Sequence, residues 1–281
     1  MNGLRVALWL CLAGVMVFSG AAGASAASFA YITNSEDNDV SVIDIGSNTV
    51  IATVPVGIEP GGVAASPDGT RVYVANYLDW SVSVIDTASN AVVATILVGL
   101  CPVGLAVTLD GSGVYVANVR DNTVSVIDTA SNAVTATPKG LSPTGTVATT
   151  ANGSRVYVAN INDNTVSVID TGSDSIVATV PVGQGPYGVA MTPDGADVVV
   201  TNYRDNTASA IDTGSNSVVA TVPVGLSPFG VAVTPDGSGV YVANFGDNTV
   251  SAIDTGSSSV VATVPVGGAP VAFGNFIAVI P

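Results

Sequence analysis

Aspartates recur along the chain at a spacing of 42 residues, and acidic side chains repeated in this way could build a cation site. One series consists of Asp37, Asp79, Asp121, Asp163, Asp205 and Asp247. Carboxylate oxygens are preferred ligands of Ca²⁺, which needs six or more of them converging on one point. An aspartate in a chain connection more often bonds the backbone of its own loop. We therefore expect these aspartates to bond the backbone of their own loops, with a Ca²⁺ ring as the weaker alternative. We expect no cofactor.

The residue types that carry most enzymatic chemistry are missing or isolated. The chain has no histidine, and its two cysteines, Cys11 and Cys101, stand far apart. These facts exclude Ser–His–Asp catalysis, His-ligated metals and cysteine-ligated metal clusters. Glycoside cleavage needs two convergent carboxyl groups in different environments, whereas the aspartates here occupy repeated turn positions. We assign no catalytic residues, and the sequence leans against an enzyme without deciding the question.

Short apolar segments of alternating pattern must position these side chains. A second aspartate series follows the same spacing: Asp44, Asp86, Asp128, Asp170, Asp212 and Asp254. Asparagines that end a strand-like segment follow it as well: Asn34, Asn76, Asn118, Asn160, Asn202 and Asn244. In the unit from Pro228 to Pro270, four alternating runs separated by turns predict a four-stranded antiparallel sheet. A period in the forties with several short strands is typical of a β-propeller.

The two ends of the repeated region complement each other. Residues 29–34 match the second strand of a unit, and residues 270–277 match the first. The sequence thus predicts an all-β, six-bladed propeller whose ring is closed by the C-terminal strand, which completes the first blade. Residues 27–281 would form this single domain of six repeats, with a seven-bladed relative as the alternative. The third repeat is irregular around 137–153, where we expect a local bulge.

The first 26 residues predict a secretory signal peptide. A basic start precedes an apolar run that is too short to cross a bilayer, and Ala24–Ala26 provides small residues for cleavage. We therefore expect an exported, monomeric protein in the periplasm, at the cell surface or outside the cell. Cys101 would remain as its lone cysteine, and we expect this thiol to be exposed on a loop.

The charge balance disfavours several classes of partner. The chain has 21 acidic and 6 basic residues and a formal net charge of −15. Such a surface repels phosphate backbones and anionic lipid headgroups, so nucleic acid is a poor candidate partner. No segment after the leader is apolar enough to predict a membrane span.

Four recurring motifs point to a known family. They are Tyr-Val-Ala-Asn, Asp-Asn-Thr-Val-Ser-Val-Ile-Asp-Thr, Val-Ala-Thr-Val-Pro-Val-Gly and Pro-x-Gly-Val-Ala-Val-Thr-Pro-Asp-Gly. The pattern resembles the YVTN-type β-propeller repeat over essentially all of residues 27–281. This resemblance implies an exported or cell-surface protein that binds a partner or contributes to a surface layer. Larger relatives include lactonases, so a divergent hydrolase or lyase with a carboxylate or Ca²⁺ centre at the channel mouth is the alternative function.

Departures from the repeat gather in two kinds of connection, which we expect on one face of the propeller. The variable positions there carry aromatic and arginine side chains, which are enriched at binding surfaces. We predict a binding rim for a protein or glycan ligand formed by Tyr77, Trp80, Arg120, Tyr187, Tyr203, Arg204, Phe229 and Phe245. The competing interpretation is that these large side chains fill gaps between neighbouring blades.

Overall fold

The structure is a computed structural model that describes residues 29–139, 142–150 and 152–270. These residues form 23 strands arranged in six antiparallel sheets, numbered here in chain order. Sheet 1 has three strands and sheets 2 to 6 have four each. The part of the chain described contains no helix that could span a bilayer.

Each sheet is a meander whose strands follow one another in the chain, with letters a to d for the four strands of a full sheet. Within the described residues sheet 1 has no strand a and consists of β1 (Phe29–Asn34), β2 (Asp39–Asp44) and β3 (Thr49–Pro55). Sheet 2 consists of β4 (Pro60–Ala65), β5 (Arg71–Asn76), β6 (Ser81–Asp86) and β7 (Ala91–Leu97). Sheet 3 consists of β8 (Pro102–Val107), β9 (Gly113–Asn118), β10 (Thr123–Asp128) and β11 (Ala133–Ala136).

The later sheets keep this order. Sheet 4 consists of β12 (Pro143–Thr149), β13 (Arg155–Asn160), β14 (Thr165–Asp170) and β15 (Ser175–Pro181). Sheet 5 consists of β16 (Pro186–Met191), β17 (Asp197–Asn202), β18 (Thr207–Asp212) and β19 (Ser217–Pro223). Sheet 6 consists of β20 (Pro228–Val233), β21 (Gly239–Asn244), β22 (Thr249–Asp254) and β23 (Ser259–Pro265).

Strands b and c are buried on both faces of most sheets. The hydrophobic cores therefore lie between consecutive sheets. In one core Tyr73 and Val84 of sheet 2 pack with Val114, Val116 and Ile127 of sheet 3. Strands buried on two faces need neighbours on both sides, and stacking sheets in sequence satisfies that need. The tyrosine of strand b also reaches the next sheet, as when the Tyr157 hydroxyl donates to the side-chain oxygen of Asn216 at 2.9 Å.

The repeated asparagine at the end of strand b is a buried clamp. In sheet 5 the Asn202 amide donates to the Thr207 and Ser209 hydroxyls, each at 2.9 Å. The same pair of bonds recurs in the other sheets at 2.6–3.1 Å, with an aspartate replacing the first hydroxyl in sheet 1. A β-carbon on Gly183 would lie 2.6 Å from Asn202 Cγ, so the incoming connection passes directly over the clamp. Only glycine leaves room there.

The clamp is not fully satisfied in every sheet. The oxygen of Asn76 accepts the Gly57 N–H at 3.1 Å, whereas the buried oxygens of Asn118, Asn202 and Asn244 have no partner among the described residues. A buried oxygen without a partner costs about 1–3 kcal/mol. The two amide donor bonds and the close glycine contact hold the clamp in place despite that cost.

The structure confirms the all-β prediction of antiparallel, four-stranded units. It also confirms the irregular third repeat, since β11 is short and Thr123 pairs with Lys139 through an isolated bridge. The predicted closing strand at 270–277 lies outside the described residues except for Pro270. The predicted signal peptide lies wholly outside them.

Candidate functional site

Chain connections divide the molecule into two faces. The connections from strand b to c lie beside those that enter strand a, because the Tyr77 N–H donates to the Glu59 carbonyl at 3.0 Å and equivalent bonds recur in later sheets. We call these segments the connection face. The a–b and c–d turns lie together at the other end, where the Thr87 hydroxyl donates to the Gly69 carbonyl at 2.7 Å. We call these the turn face.

Four of the six aspartates of the predicted Ca²⁺ ring serve as backbone acceptors on the connection face. The carboxylate of Asp79 accepts the Ile58 N–H at 2.8 Å, and that of Asp205 accepts the Gln184 N–H at 2.6 Å. Asp121 and Asp247 make the same bond to Leu100 and Leu226. Among the described residues no three acidic, cysteine or histidine side chains converge as metal ligands. The geometry gives no support to a Ca²⁺ ring in this part of the chain.

Trp80 occupies a turn position that elsewhere links two connections. Asn38, Asn164 and Asn206 adopt positive φ there and accept an N–H from the connection into the following sheet at 2.8–2.9 Å. Trp80 keeps the positive φ, at 54°, but has no side-chain oxygen. Its indole is exposed instead, and no ring of the described residues stacks on it.

Four of the predicted rim residues form one aromatic cluster across sheets 5 and 6. Tyr187 and Phe229 occupy the same position in neighbouring a strands, and their ring centroids lie 3.9 Å apart. Phe229 also contacts Tyr203 and Phe245, each with centroids 6.2 Å away. Tyr187 is buried, while Phe245 is 39% exposed. Burial, followed by the charge of Tyr203, raises the pKa of Tyr187, so its hydroxyl stays neutral at physiological pH.

The packing interpretation of the rim therefore applies to some residues of this cluster and the binding interpretation to others. Tyr187 fills the gap between two sheets, as the packing interpretation predicts. Tyr203 and Phe245 extend the cluster toward solvent and give it an accessible apolar surface. Arg204 follows Tyr203 on the exposed face, and its aliphatic stem approaches Gly185. The sequence predicted that these residues share a face, and the structure shows which of them touch.

A second, smaller group joins Tyr77 to Cys101. The pKa of Tyr77 is raised first by burial and then by a hydrogen bond with the Cys101 thiol, while the Arg120 charge lowers it. The prediction that Cys101 is exposed was wrong, because the side chain is buried at the entrance of strand β8. Its spacing from Glu59 and Gly185 showed its place in the connection, but nothing in the sequence showed that Tyr77 would cover it.

Two clefts in the described structure lie away from the aromatic cluster. One, of about 490 Å³, opens beside the shortened strand β11 and is lined by Leu97, Asp121 and Lys139 among others. The second, of about 470 Å³, lies on the turn face between Arg155 and Asp194. Both are shallow and mixed in polarity, and neither gathers groups suited to acid–base or nucleophilic chemistry.

Comparisons with known proteins agree with this architecture. A family model described as "YNCE-like beta-propeller" matches residues 133–254. The chain has the β-propeller fold. Hydrazine synthase of Kuenenia stuttgartiensis aligns with a TM-score of 0.74 and 23% identity over 86% of this chain and 84% of that one. A functionally unknown protein from Desulfotomaculum acetoxidans DSM 771 aligns with a TM-score of 0.76 and 19% identity over 88% and 84%. No curated protein matches the chain significantly.

On the turn face of the propeller, recurring hydrogen bonds lower the pKa of the aspartates that accept them in the turns. In the a–b turn, hydrogen bonds from the Thr108 hydroxyl and from the N–H and hydroxyl of Ser112 lower the pKa of Asp110 to about 2. Equivalent bonds lower the pKa of Asp236 to about 2. The c–d turn aspartates, such as Asp212, also have lowered pKa values because a serine hydroxyl and N–H donate to them. These aspartates stabilise the turns by accepting hydrogen bonds, and they do not form a catalytic pair.

Acid should therefore destabilise the propeller in a defined window. A carboxyl whose pKa is lower in the folded state than its ordinary value near 3.9 stabilises the fold above that value, and this contribution is lost as pH falls toward the folded pKa. We expect stability to hold from neutrality to about pH 5 and to fall between about pH 4 and 2, with no step near 6.5, since the chain has no histidine. Urea unfolding midpoints measured across this pH range test the prediction.

The chain contains its own control for this prediction. Sheet 4 has Asn152 at the position of Asp110, and its side-chain oxygen accepts from Thr150 and Ser154 in the same way. The Asp110→Asn, Asp236→Asn double variant should keep the turns and flatten the acid-induced fall, and Asn152→Asp should steepen it. Superimposable pH profiles for all three proteins would contradict the assignment.

Proposed function

We propose that this propeller is a noncatalytic binding or scaffold protein of the YVTN type that is exported to the cell envelope or beyond. The observation that carries the proposal is the aromatic cluster of Tyr187, Tyr203, Phe229 and Phe245 on the connection face. Aromatic side chains with an adjacent arginine are the commonest anchors of binding surfaces. A protein or glycan ligand suits this surface, and export follows from the leader predicted at residues 1–26.

Burial divides the cluster into a support and a contact surface. Tyr187 packs under Phe229 and fixes its ring, so binding does not have to order that ring again. Tyr203 and Phe245 flank Phe229 on the solvent side. Pre-ordered rings lose little conformational entropy when a ligand binds, which favours affinity from a small surface.

Removing the exposed rings should abolish binding without unfolding the propeller. The Tyr203→Ala, Phe245→Ala variant is compared with the Ile58→Ala, Leu78→Ala variant, which removes two side chains that are each 48% exposed on the same face at sheet 2. Ligands are sought on a glycan array and by cross-linked capture from cell-envelope extract. We expect binding at least about tenfold weaker for the first variant only, as for the loss of a hot spot of about 1.4 kcal/mol or more.

The outcome that contradicts the rim assignment is equally specific. A ligand that binds both variants and the unmodified protein alike places the binding surface elsewhere. Melting curves recorded for each variant separate lost binding from lost structure.

We also propose that six blades close into a ring, with the C-terminal segment as the missing strand a of sheet 1. The face of sheet 6 that would pack against the next sheet is exposed at positions where the corresponding faces of earlier sheets are buried. Tyr241 is 37% exposed, whereas Tyr115 and Tyr157 are at most 2% exposed and donate to side chains 59 residues later in the chain. In a ring of six 42-residue repeats, the corresponding partner of Tyr241 is Asn48.

The face of sheet 1 that would pack against sheet 6 is exposed in a complementary way. Asn34 is only partly buried, whereas Asn76, Asn202 and their other counterparts are buried. A β-carbon on Gly267 would meet nothing within 4 Å, while one on the equivalent Gly183 would collide with its asparagine. Sheet 1 therefore has the clamp and sheet 6 the glycine, and closure would bring them together.

A single pair of substitutions tests this closure. Gly183→Ala should destabilise the protein by about 1–3 kcal/mol, because its β-carbon has no room beside Asn202. If the six-bladed ring is closed, Gly267→Ala should cost a similar amount, since Asn34 then covers it. Urea unfolding measures both. A Gly267→Ala variant as stable as the unmodified protein would contradict closure while leaving the binding proposal intact.

A further inference from the structure

The fourth strand of each sheet is an outer edge without charged residues. Strands β3, β7, β11, β15, β19 and β23 each end the strand order of their sheet. None of the 21 acidic and 6 basic residues of the chain falls within them. Natural proteins commonly protect such edges with charged side chains, especially lysine, and with prolines or bulges, the last two of which occur on these strands. Among the described residues, the perimeter of this molecule has a lysine only in sheet 3, where Lys139 pairs with Thr123 beyond the end of β11.

A bulge turns one extra apolar side chain outward on most of these strands. The register between strands c and d shifts once in every sheet, for example between Ala210 and Ile211 in sheet 5. The unpaired residues at the shift in the five seven-residue strands are 49% to 65% exposed: Ile51, Val93, Val177, Val219 and Val261. The perimeter thus carries an exposed β-branched residue at each 42-residue interval, with Thr135 taking that place in sheet 3.

The charges of the molecule lie on its two faces instead. The turn face carries aspartates in each a–b and c–d turn except for Asn152, and the connection face carries the aspartates that bond the loops. With a net charge of −15, two copies stacked face to face would repel each other. Two copies side by side would bring together uncharged strands. Charge distribution therefore favours contact at the perimeter over contact at either face.

The ends of each outer strand also select an orientation. Each of these strands begins opposite a c–d turn aspartate, as Ser217 pairs with Asp212, and the seven-residue strands other than β7 end at a proline. Parallel neighbours would place carboxylate beside carboxylate. Antiparallel neighbours related by a two-fold axis place each carboxylate beside the proline end of the other strand, about 23 Å from its equivalent along a strand of seven residues.

We propose that the outer strands are a self-association surface on which a second copy of this chain docks edge to edge and antiparallel. A two-fold contact of this kind is isologous, so the same strand serves both copies. One pair of short strands is a small interface, and small interfaces are weak. Several such edges on each molecule supply multivalency, so assembly strengthens with local concentration. This surface departs from the monomer expected from the sequence and is independent of the aromatic cluster.

The test is sedimentation equilibrium of the purified protein from micromolar to millimolar concentration. We expect the weight-average mass of the unmodified protein to rise with concentration and to pass about twice the monomer value, because each molecule carries several equivalent edges. The Val93→Lys, Val177→Lys, Val219→Lys variant should associate more weakly over the same range, because only the edges with Ile51 and Val261 keep their outward apolar side chain. The corresponding threonine variant keeps the β-branched shape and should also associate more weakly than the unmodified protein. It serves as a second test if the lysines disturb the strands.

A charge-matched control decides whether position or charge matters. Ile58→Lys, Leu78→Lys and Leu226→Lys add the same three charges at exposed apolar positions on the connection face. This variant should associate as the unmodified protein does. The proposal is overturned if the unmodified protein stays monomeric at millimolar concentration, if the perimeter lysines leave association unchanged, or if the connection-face lysines abolish it equally.

Discussion

The structure depends on a buried asparagine that ties together three pieces of backbone at every joint between sheets. Its side-chain amide donates to two positions on strand c, and the connection from the preceding sheet passes over it so closely that only glycine fits. A polar group buried in this way is costly unless it is bonded, so its position tolerates little movement. The same few atoms therefore recur where the described sheets meet.

This constraint explains why the recurrent polar residues are structural. The asparagine fixes the joint, the aspartate that follows it accepts an N–H from the connection, and the aspartates of the turns accept serine and threonine donors. Groups that are held by such local hydrogen bonds are poor candidates for catalysis or metal binding. Function is then expected where the repeat is broken, as at Tyr187 and Phe229, or where its geometry leaves surface unprotected, as at the outer strands.

Much of this could be predicted from the sequence, because period and pattern report local geometry directly. The four strands per unit, the turn role of residues such as Asp212 and the shared face of the rim residues all follow from spacing. The contact between Tyr187 and Phe229 could not be predicted, since it depends on how far one sheet is rotated from the next. The burial of Cys101 under Tyr77 depends on the same rotation. The bulge that exposes Val219 has no sequence signal of its own, because both neighbouring residues fit a strand equally well.

A double-mutant cycle on one joint tests the central role of the clamp most directly. Gly183→Ala, Asn202→Ala and the double variant are unfolded in urea beside the unmodified protein. Because the added β-carbon collides with the Asn202 side chain, removing that side chain should relieve part of the cost of Gly183→Ala. We expect a coupling free energy of about 1 kcal/mol or more between the two sites. Strictly additive effects would contradict the account, since they would mean that the glycine and the asparagine act independently.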